Sequence, residues 1–326
     1  MSTLFSHFFT KINQIRPLEA DFTEVLNSIA LTPKTLYFYG KMPENVSKNG
    51  KLTRPKSVAI VGSRRNTRYG EEVAYKMAYE LAKRGVVIVS GLAYGIDSIS
   101  HRAAVDAGGK TVAVLGTAID KIYPRNHEKL AAEIIEKGGA ILSEYPPTNS
   151  DAPLVTGEFL DKNGQRQINY KGSFLHRNRL ISGLSDVVVV VEAAERSGTL
   201  NTAAHALSQG KDVFAVPGNL TSPSSVGCNR LIRQGAYLYT DPEDLLDFLF
   251  PEEIVKKTRK SSKFTPPQGL SELETAVLKA IFGGLRDGGK IAEELEFSAA
   301  NLAEALTLLE LKGLIRPLGM NNWALI

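Results

Sequence analysis

Short apolar runs punctuate the middle of the chain, at residues 58–61, 86–89, 111–115, 140–142, 187–191 and 213–216. They are rich in valine and isoleucine, and none alternates with polar residues. The fifth is five valines in a row. Each run closes on a glycine or a polar turn: Gly62, Gly91, Gly116, Ser143-Glu144, Glu192-Ala193 and Pro217-Gly218. Between the runs the spacing changes to that of helices. Tyr69, Val73, Met77 and Leu81 recur every fourth residue, and further helices are predicted over 95–107, 126–137 and 199–209. Continuous β-branched runs mark strands buried on both faces, and intervening helices supply the covering layers. The pattern therefore predicts an α/β fold with a mostly parallel sheet and helices on both faces. With all strands pointing one way, Gly62, Gly91, Gly116, Glu144, Glu192 and Gly218 line the carboxyl edge, where open α/β sheets bind ligands.

The flanks read differently. Residues 1–50 form a short N-terminal segment: one or two amphipathic helices over 2–26, then a short strand within 33–40. Residues 51–250 make the α/β domain, which ends in a helix over 241–250. Inside it, Asp161-Lys162-Asn163-Gly164 is a hairpin turn within a 154–170 insert, and a helix is predicted over 174–184. Residues 251–269 are polar, with a lysine-rich stretch and Pro266-Pro267, and read as a linker. Residues 270–326 open on a capping box, Ser271 with Glu274. Three short helices and a terminal hairpin follow, the pattern of a small winged-helix domain.

Composition narrows the chemistry. Net charge is +4, with a pI near 8.9. This permits a nucleic-acid partner without demanding one. The single Cys228 excludes an intrachain disulfide and a multi-cysteine zinc site, and points to a reducing, cytoplasmic compartment. Residues 1–17 lack the apolar core of a signal peptide, and no run is long enough to predict membrane insertion.

Candidate chemistry gathers at the run ends. The loop after the first run carries Arg64, Arg65 and Arg68 beside Ser63 and Thr67, ahead of a helix. Backbone N–H groups at a helix start attract anions, and the arginines favour phosphate. No Walker A or Gly-x-Gly-x-x-Gly pattern accompanies them, so no nucleotide cofactor is expected. A second cluster, Arg177-Asn178-Arg179, follows Lys171 and Phe174. There an aromatic beside arginines can stack a nucleobase. Ser197-Gly198-Thr199 opens another helix, as an anion nest or as an ordinary cap. Asp97 and His101 stand one helical turn apart and read as a structural pair. Glu144 and Glu192, ending neighbouring strands, are the best carboxylate pair for an enzyme.

Taken in order, these motifs resemble a known family. They are Gly62-Ser63-Arg64 with Tyr69-Gly70; Ser90-Gly91-Leu92-Ala93-Tyr94-Gly95-Ile96-Asp97 with His101; Val114-Leu115-Gly116 with Asp120 and Tyr123-Pro124; Ser143-Glu144-Tyr145-Pro146-Pro147; Arg177-Asn178-Arg179 with Gly183-Leu184-Ser185; Glu192-Ala193 with Ser197-Gly198-Thr199; and Phe214-Ala215-Val216-Pro217-Gly218. The series resembles the DNA-processing protein A family, DprA or Smf, over about residues 33–249. The tail resembles that family's winged-helix domain.

The resemblance implies an extended Rossmann-like core, single-stranded DNA binding, a homodimer, and loading of the RecA recombinase during natural transformation. It implies no catalysis and no cofactor. DNA contacts carry over to Ser63, Arg64, Lys171, Phe174, Arg177 and Asn178, with Ser197, Gly198 and Thr199 as additional contacts. Two departures stand out. Thr148-Asn149 follows Pro146-Pro147 where the family continues Gly-Thr, and Leu175 replaces a proline. Two alternatives remain open: a nucleoside monophosphate phosphoribohydrolase using the Ser-Gly-Thr turn, and a transcription factor acting through the tail.

Overall fold

A computed structural model of the chain describes residues 6–48, 51–251, 267, 269–282, 285–319 and 321–325. It divides into two compact units, Met1–Phe250 and Pro251–Ile326. The predicted linker at 251–269 lies almost wholly outside the described residues.

The first unit is built on a nine-stranded sheet. In chain order its strands and helices are β1 (Asn13–Ile15), α1 (Asp21–Glu24), β2 (Leu36–Gly40), a small β3–β4 pair (Val46–Lys48 and Lys51–Thr53), β5 (Ser57–Val61), α2 (Arg68–Lys83), β6 (Val87–Ser90), α3 (Ile96–Asp106), β7 (Thr111–Leu115), α4 (Glu128–Glu136), β8 (Ala140–Ser143), the hairpin β9–β10 (Glu158–Leu160 and Arg166–Ile168), α5 (Tyr170–Gly183), β11 (Val187–Val190), α6 (Thr199–Ser208), β12 (Asp212–Ala215), α7 (Val226–Arg233), β13 (Tyr237–Leu238) and α8 (Pro242–Leu249). Spatial order is β1-β2-β8-β7-β6-β5-β11-β12-β13.

The six apolar runs are all strands, and the core explains why none alternates. Along β5 and β11, Ala59, Val61, Val188 and Val190 face one apolar layer with Leu180, Ile181 and Ala203. Val58, Ile60, Val187 and Val189 face the other, against Met77, Leu81 and Ile96. Each of these positions is buried and apolar; Ser57, buried at the start of β5, is the polar exception, and its hydroxyl donates to the Leu184 carbonyl at 2.8 Å. Each valine, isoleucine, leucine or methionine among them contributes about 1.5–3 kcal/mol of burial.

β5 is the centre of the seven parallel strands. β6, β7 and β8 succeed it on one side and β11, β12 and β13 on the other, all parallel. The switch in strand order falls between β5 and β11, and the loops after them open a crevice at the carboxyl edge.

The sheet is mostly parallel, as expected: the strands of the six runs all point one way, while β2 pairs antiparallel with β8 and β1 antiparallel with β2. Two expectations are corrected. The predicted N-terminal helices are instead short 3-10 turns, strand β1 and the single turn α1, because Pro17 and the polar residues around it break any long helical register. Helix α5 begins at Tyr170 rather than 174, because Asn169 caps it by accepting the Gly172 N–H.

The second unit contains helices α9 (Glu272–Phe282), α10 (Gly288–Glu294) and α11 (Ala299–Leu311) and an antiparallel pair, β14 (Ile315–Gly319) and β15 (Asn322–Leu325). Its core is Val277, Leu278, Ile281, Ile291, Leu306, Leu309 and Ile315. The capping box forms: Ser271 Oγ accepts the Glu274 N–H at 3.2 Å, and Glu274 accepts the Ser271 N–H at 2.7 Å.

Candidate functional site

The loop between β5 and α2 does not leave its helix terminus open. Glu192, at the end of β11, accepts the Thr67 N–H at 2.9 Å and the Thr67 hydroxyl at 2.7 Å. Thr67 Oγ1 in turn caps the Gly70 N–H at 3.2 Å. The protein's own carboxylate thus sits where an α/β nucleotide-binding fold receives phosphate, at the positive end of the helix dipole. The arginines point away from this closed site. Arg64, Arg65 and Arg68 are exposed, and Arg68 pairs with Glu72 at 2.9 Å. Ser63 is partly buried and accepts the Arg65 N–H at 3.0 Å, which shapes the loop.

The Ser197-Gly198-Thr199 turn packs onto the same loop. Thr199 Oγ1 donates to the Gly62 carbonyl at 3.0 Å. The Thr199 N–H binds Ser197 Oγ, and the N–H groups of Leu200 and Asn201 bind the Ser197 and Gly198 carbonyls. With those amides satisfied internally, the turn is a tie between α6 and the first loop, closer to the ordinary-cap alternative than to the open nest. Gly198 stays exposed.

Helix α5 carries the second cluster, and its members separate by depth. Lys171 is exposed and Phe174 half-buried. Arg177 is only 4 % exposed. Its guanidinium donates to the carbonyls of Gly91 (2.9 Å) and Val114 and to Asn178 Oδ1 (3.3 Å). It lies flat on Gly91, where a Cβ would come within 2.6 Å of it. Burial lowers the Arg177 pKa to about 10, opposed by the nearby Asp97 carboxylate. Asn178, also buried, donates to the Gly198 carbonyl at 3.4 Å and Asn201 Oδ1 at 3.2 Å. Arg179 forms a buried pair with Glu144, at 2.7 Å to both carboxylate oxygens. Of the cluster expected at the surface, Arg177 and Asn178 are instead its floor, binding the ends of β6 and β7 and the start of α6.

Above that floor the structure assembles an aromatic surface. Phe174 lies on Gly116, where a Cβ would fall 2.5 Å from the ring. The Arg64 guanidinium sits over its outer face, 5.4 Å from the centroid, within cation–π range. Tyr123, from the loop after β7, stands 5.4 Å from Phe174, and Tyr170 stands 6.2 Å from it. Sequence reading singled out Phe174 but missed Tyr170 as a site residue, and took Tyr123 only as part of a motif. Ser63, Arg64, Lys171 and Phe174 are thus available around the edge.

The remaining expectations change. Asp97 and His101 do not pair with each other. Asp97 accepts the N–H groups of Gly91 (3.1 Å) and Ala93 (3.4 Å), and burial raises its pKa. His101 Nδ1 contacts Thr111 Oγ1 at 2.7 Å, and that hydroxyl donates to the Ile88 carbonyl. The imidazole is therefore the donor, leaving a buried Nε2 with no partner, and burial pushes its pKa down to about 3. Glu144 and Glu192 end β8 and β11, which β7, β6 and β5 separate. They cannot act as one carboxylate pair. Burial raises the Cys228 thiol to about 12. Among the described residues no cluster of three His, Cys, Asp or Glu side chains can hold a metal, and no helix is long and apolar enough to cross a membrane.

These features define an extended Rossmann-like α/β unit whose helix terminus is filled from within and whose sheet edge presents basic and aromatic side chains. The chain belongs to the family of DNA recombination-mediator protein A, whose model matches residues 13–250. It is 44 % identical over 212 residues to protein Smf of Escherichia coli K12, covering 65 % of this chain and 52 % of that one. The chain thus spans about half the length of that relative. Among solved structures it resembles DNA processing protein A (DprA) from Streptococcus pneumoniae, with a TM-score of 0.59 and 35 % identity, covering 75 % of this chain and 76 % of that one. It is also similar to DNA processing protein A from Helicobacter pylori, with a TM-score of 0.59 and 31 % identity, covering 76 % and 99 %. The H. pylori structure concerns that protein's single-stranded DNA binding mode.

Proposed function

We propose that this chain binds single-stranded DNA along the carboxyl edge of its sheet, and that it helps load the RecA recombinase onto that strand during DNA uptake. One observation carries the reading. Exposed Arg64 and Lys171 flank a half-open aromatic surface, while the neighbouring helix terminus already holds Glu192. Such an edge offers charge to a phosphate chain and flat rings to unpaired bases. A mononucleotide enzyme would instead need the helix terminus vacant, and the Ser-Gly-Thr turn is closed by its own bonds. The H. pylori relative's single-strand binding supports the same reading.

Ser63, Arg64, Lys171, Phe174 and Gly198 are the direct contacts in this proposal. Arg177, Asn178, Ser197 and Thr199 hold the surface in place beneath them. The protein acts in the cytoplasm without catalysis or cofactor, with residues 270–326 as a winged helix. Its homodimer uses the outer edge of β13, the edge strand, which among the described residues pairs only with β12 and carries exposed Leu238 and exposed Tyr237, the latter against Phe214 and Phe248. Binding of labelled oligothymidine and of a matched duplex at several salt concentrations tests the central reading. Preference for the single strand, with affinity falling as salt rises, is expected; equal or tighter duplex binding refutes it.

A further inference from the structure

The aromatic surface does not end at Phe174. Tyr123, from the loop after β7, and Tyr170, the first residue of α5, lie 47 positions apart in sequence, yet their rings stack at 6.5 Å with planes 22° apart. Tyr170 lies 27° from the plane of Phe174 and Tyr123 36° from it, so the three rings face broadly one way. Tyr123 is 49 % exposed and Tyr170 46 %. Three tyrosines of this unit are anchored by their hydroxyls: Tyr69 to the Pro217 carbonyl, Tyr75 to Asp106 and Tyr145 to the Thr156 carbonyl. Among the described residues no hydrogen bond holds the hydroxyl of Tyr123 or Tyr170.

The insert holds Tyr170 in this position. The chain leading into it is pinned where the Asp120 carboxylate accepts the Thr148 N–H at 3.1 Å. Its middle is pinned by the buried Arg166–Glu158 ion pair, and its end by the Asn169 N–H on the Gly157 carbonyl at 2.8 Å. Tyr170 follows directly as the first residue of α5. Beside this lies an open cleft of ≈ 650 Å³ lined by the insert and by Lys121, two residues before Tyr123. Exposed Lys121 and Arg125 bracket Tyr123, and exposed Lys171 follows Tyr170. Flat open rings beside cations match the stacked bases and phosphates of a single strand.

We infer that Tyr123 and Tyr170 form a second base-stacking subsite, which extends the bound strand past Phe174 toward the insert. This rests on the single-strand reading above. Each base stacked there adds roughly 5- to 150-fold in affinity. The test measures binding of oligothymidine, and of the same strand with consecutive abasic positions, to the wild-type chain, to Tyr123→Ala/Tyr170→Ala and to Tyr123→Phe/Tyr170→Phe. Urea unfolding confirms that each variant is folded.

The expected result has three parts. The alanine pair weakens oligothymidine binding at least fivefold, with an unchanged salt slope because no charge is lost. It also loses the wild-type preference for base-bearing over abasic strand at this subsite. The phenylalanine pair, which keeps the rings, retains both. Wild-type affinity and preference in the alanine pair overturn the subsite while leaving the single-strand reading intact. A wild-type chain that fails to bind oligothymidine overturns both.

Discussion

Replacing Arg177 with methionine separates a structural arginine from a DNA-contacting one. The guanidinium is buried at 4 % exposure and donates to carbonyls on two different strand ends, Gly91 after β6 and Val114 in β7. Methionine keeps most of the side-chain stem and removes the charge. Two carbonyls then lose charge-assisted donors, each worth about 1.5–3 kcal/mol. Buried Asp97, whose pKa burial already raises, also loses the cation that opposes that rise. Relief of the buried cation's own desolvation offsets part of this. Two such bonds, less that offset, leave a net cost of about 3–5 kcal/mol, a large share of the roughly 5–15 kcal/mol that holds a domain together. Urea denaturation followed by far-UV circular dichroism measures the loss. The salt dependence of single-strand binding, taken where the variant is still folded, measures any phosphate contact. We expect a stability loss of about 3–5 kcal/mol and an unchanged salt slope. A loss under about 1 kcal/mol, with a salt slope reduced by about 0.7 for one phosphate contact, would refute the buried-floor assignment.

Arg64→Ala should behave in the opposite way. Its fold stability stays at the wild-type value, and the slope of log affinity against log salt falls by about 0.7, read by fluorescence anisotropy. Gly116→Ala pushes a Cβ to within 2.5 Å of the Phe174 ring. Single-strand affinity should drop about tenfold, and Gly116→Ala/Phe174→Ala should bind no worse than Phe174→Ala alone; additive losses would mean that Gly116 acts elsewhere. His101 gives a pH signature. Its folded pKa of about 3 lies below the ordinary value of 6.5, so between these limits only the unfolded chain takes up the proton. The contribution is complete above pH 6.5 and is lost as pH falls toward 3, at up to about 1.4 kcal/mol per pH unit. Denaturation of wild type and His101→Asn between pH 7 and 4.5 should give a flatter profile for the variant; parallel profiles would count against it.

The fold was legible because its strands are buried on both faces. Burial on both sides leaves no polar position from Val58 to Val61 or in β11, so five consecutive valines can be read as a strand without neighbours to compare. Elements that bury little surface were not legible. β13 is two residues long, and β1 is a three-residue edge strand. The site was legible as residue types but not as depth. Arg64 and Arg177 look alike in sequence, each in a basic stretch near a run end. Only the approach of Gly91, 86 positions before Arg177, decides that one is covered. The tyrosine pair escaped notice for the same reason, since Tyr123 and Tyr170 lie far apart in sequence and meet only in the folded chain.

The least foreseeable feature is Glu192, which meets Thr67 across 125 positions. The loop after β5 reads as a phosphate site by every local sign: a glycine at the strand end, arginines, and a helix to follow. In the folded chain the switch point between β5 and β11 brings a carboxylate onto that helix terminus. Its negative charge neutralises the dipole that would draw a nucleotide into the crevice. Arg64 is then left on the rim with no anion of its own at the centre. A single phosphate in the crevice would meet Glu192. A chain of phosphates passing outside it, with bases laid on Phe174, would not. Filling the nucleotide pocket from within and placing the arginine on the rim are thus one geometric choice. That choice favours a polymer along the edge over a cofactor inside it.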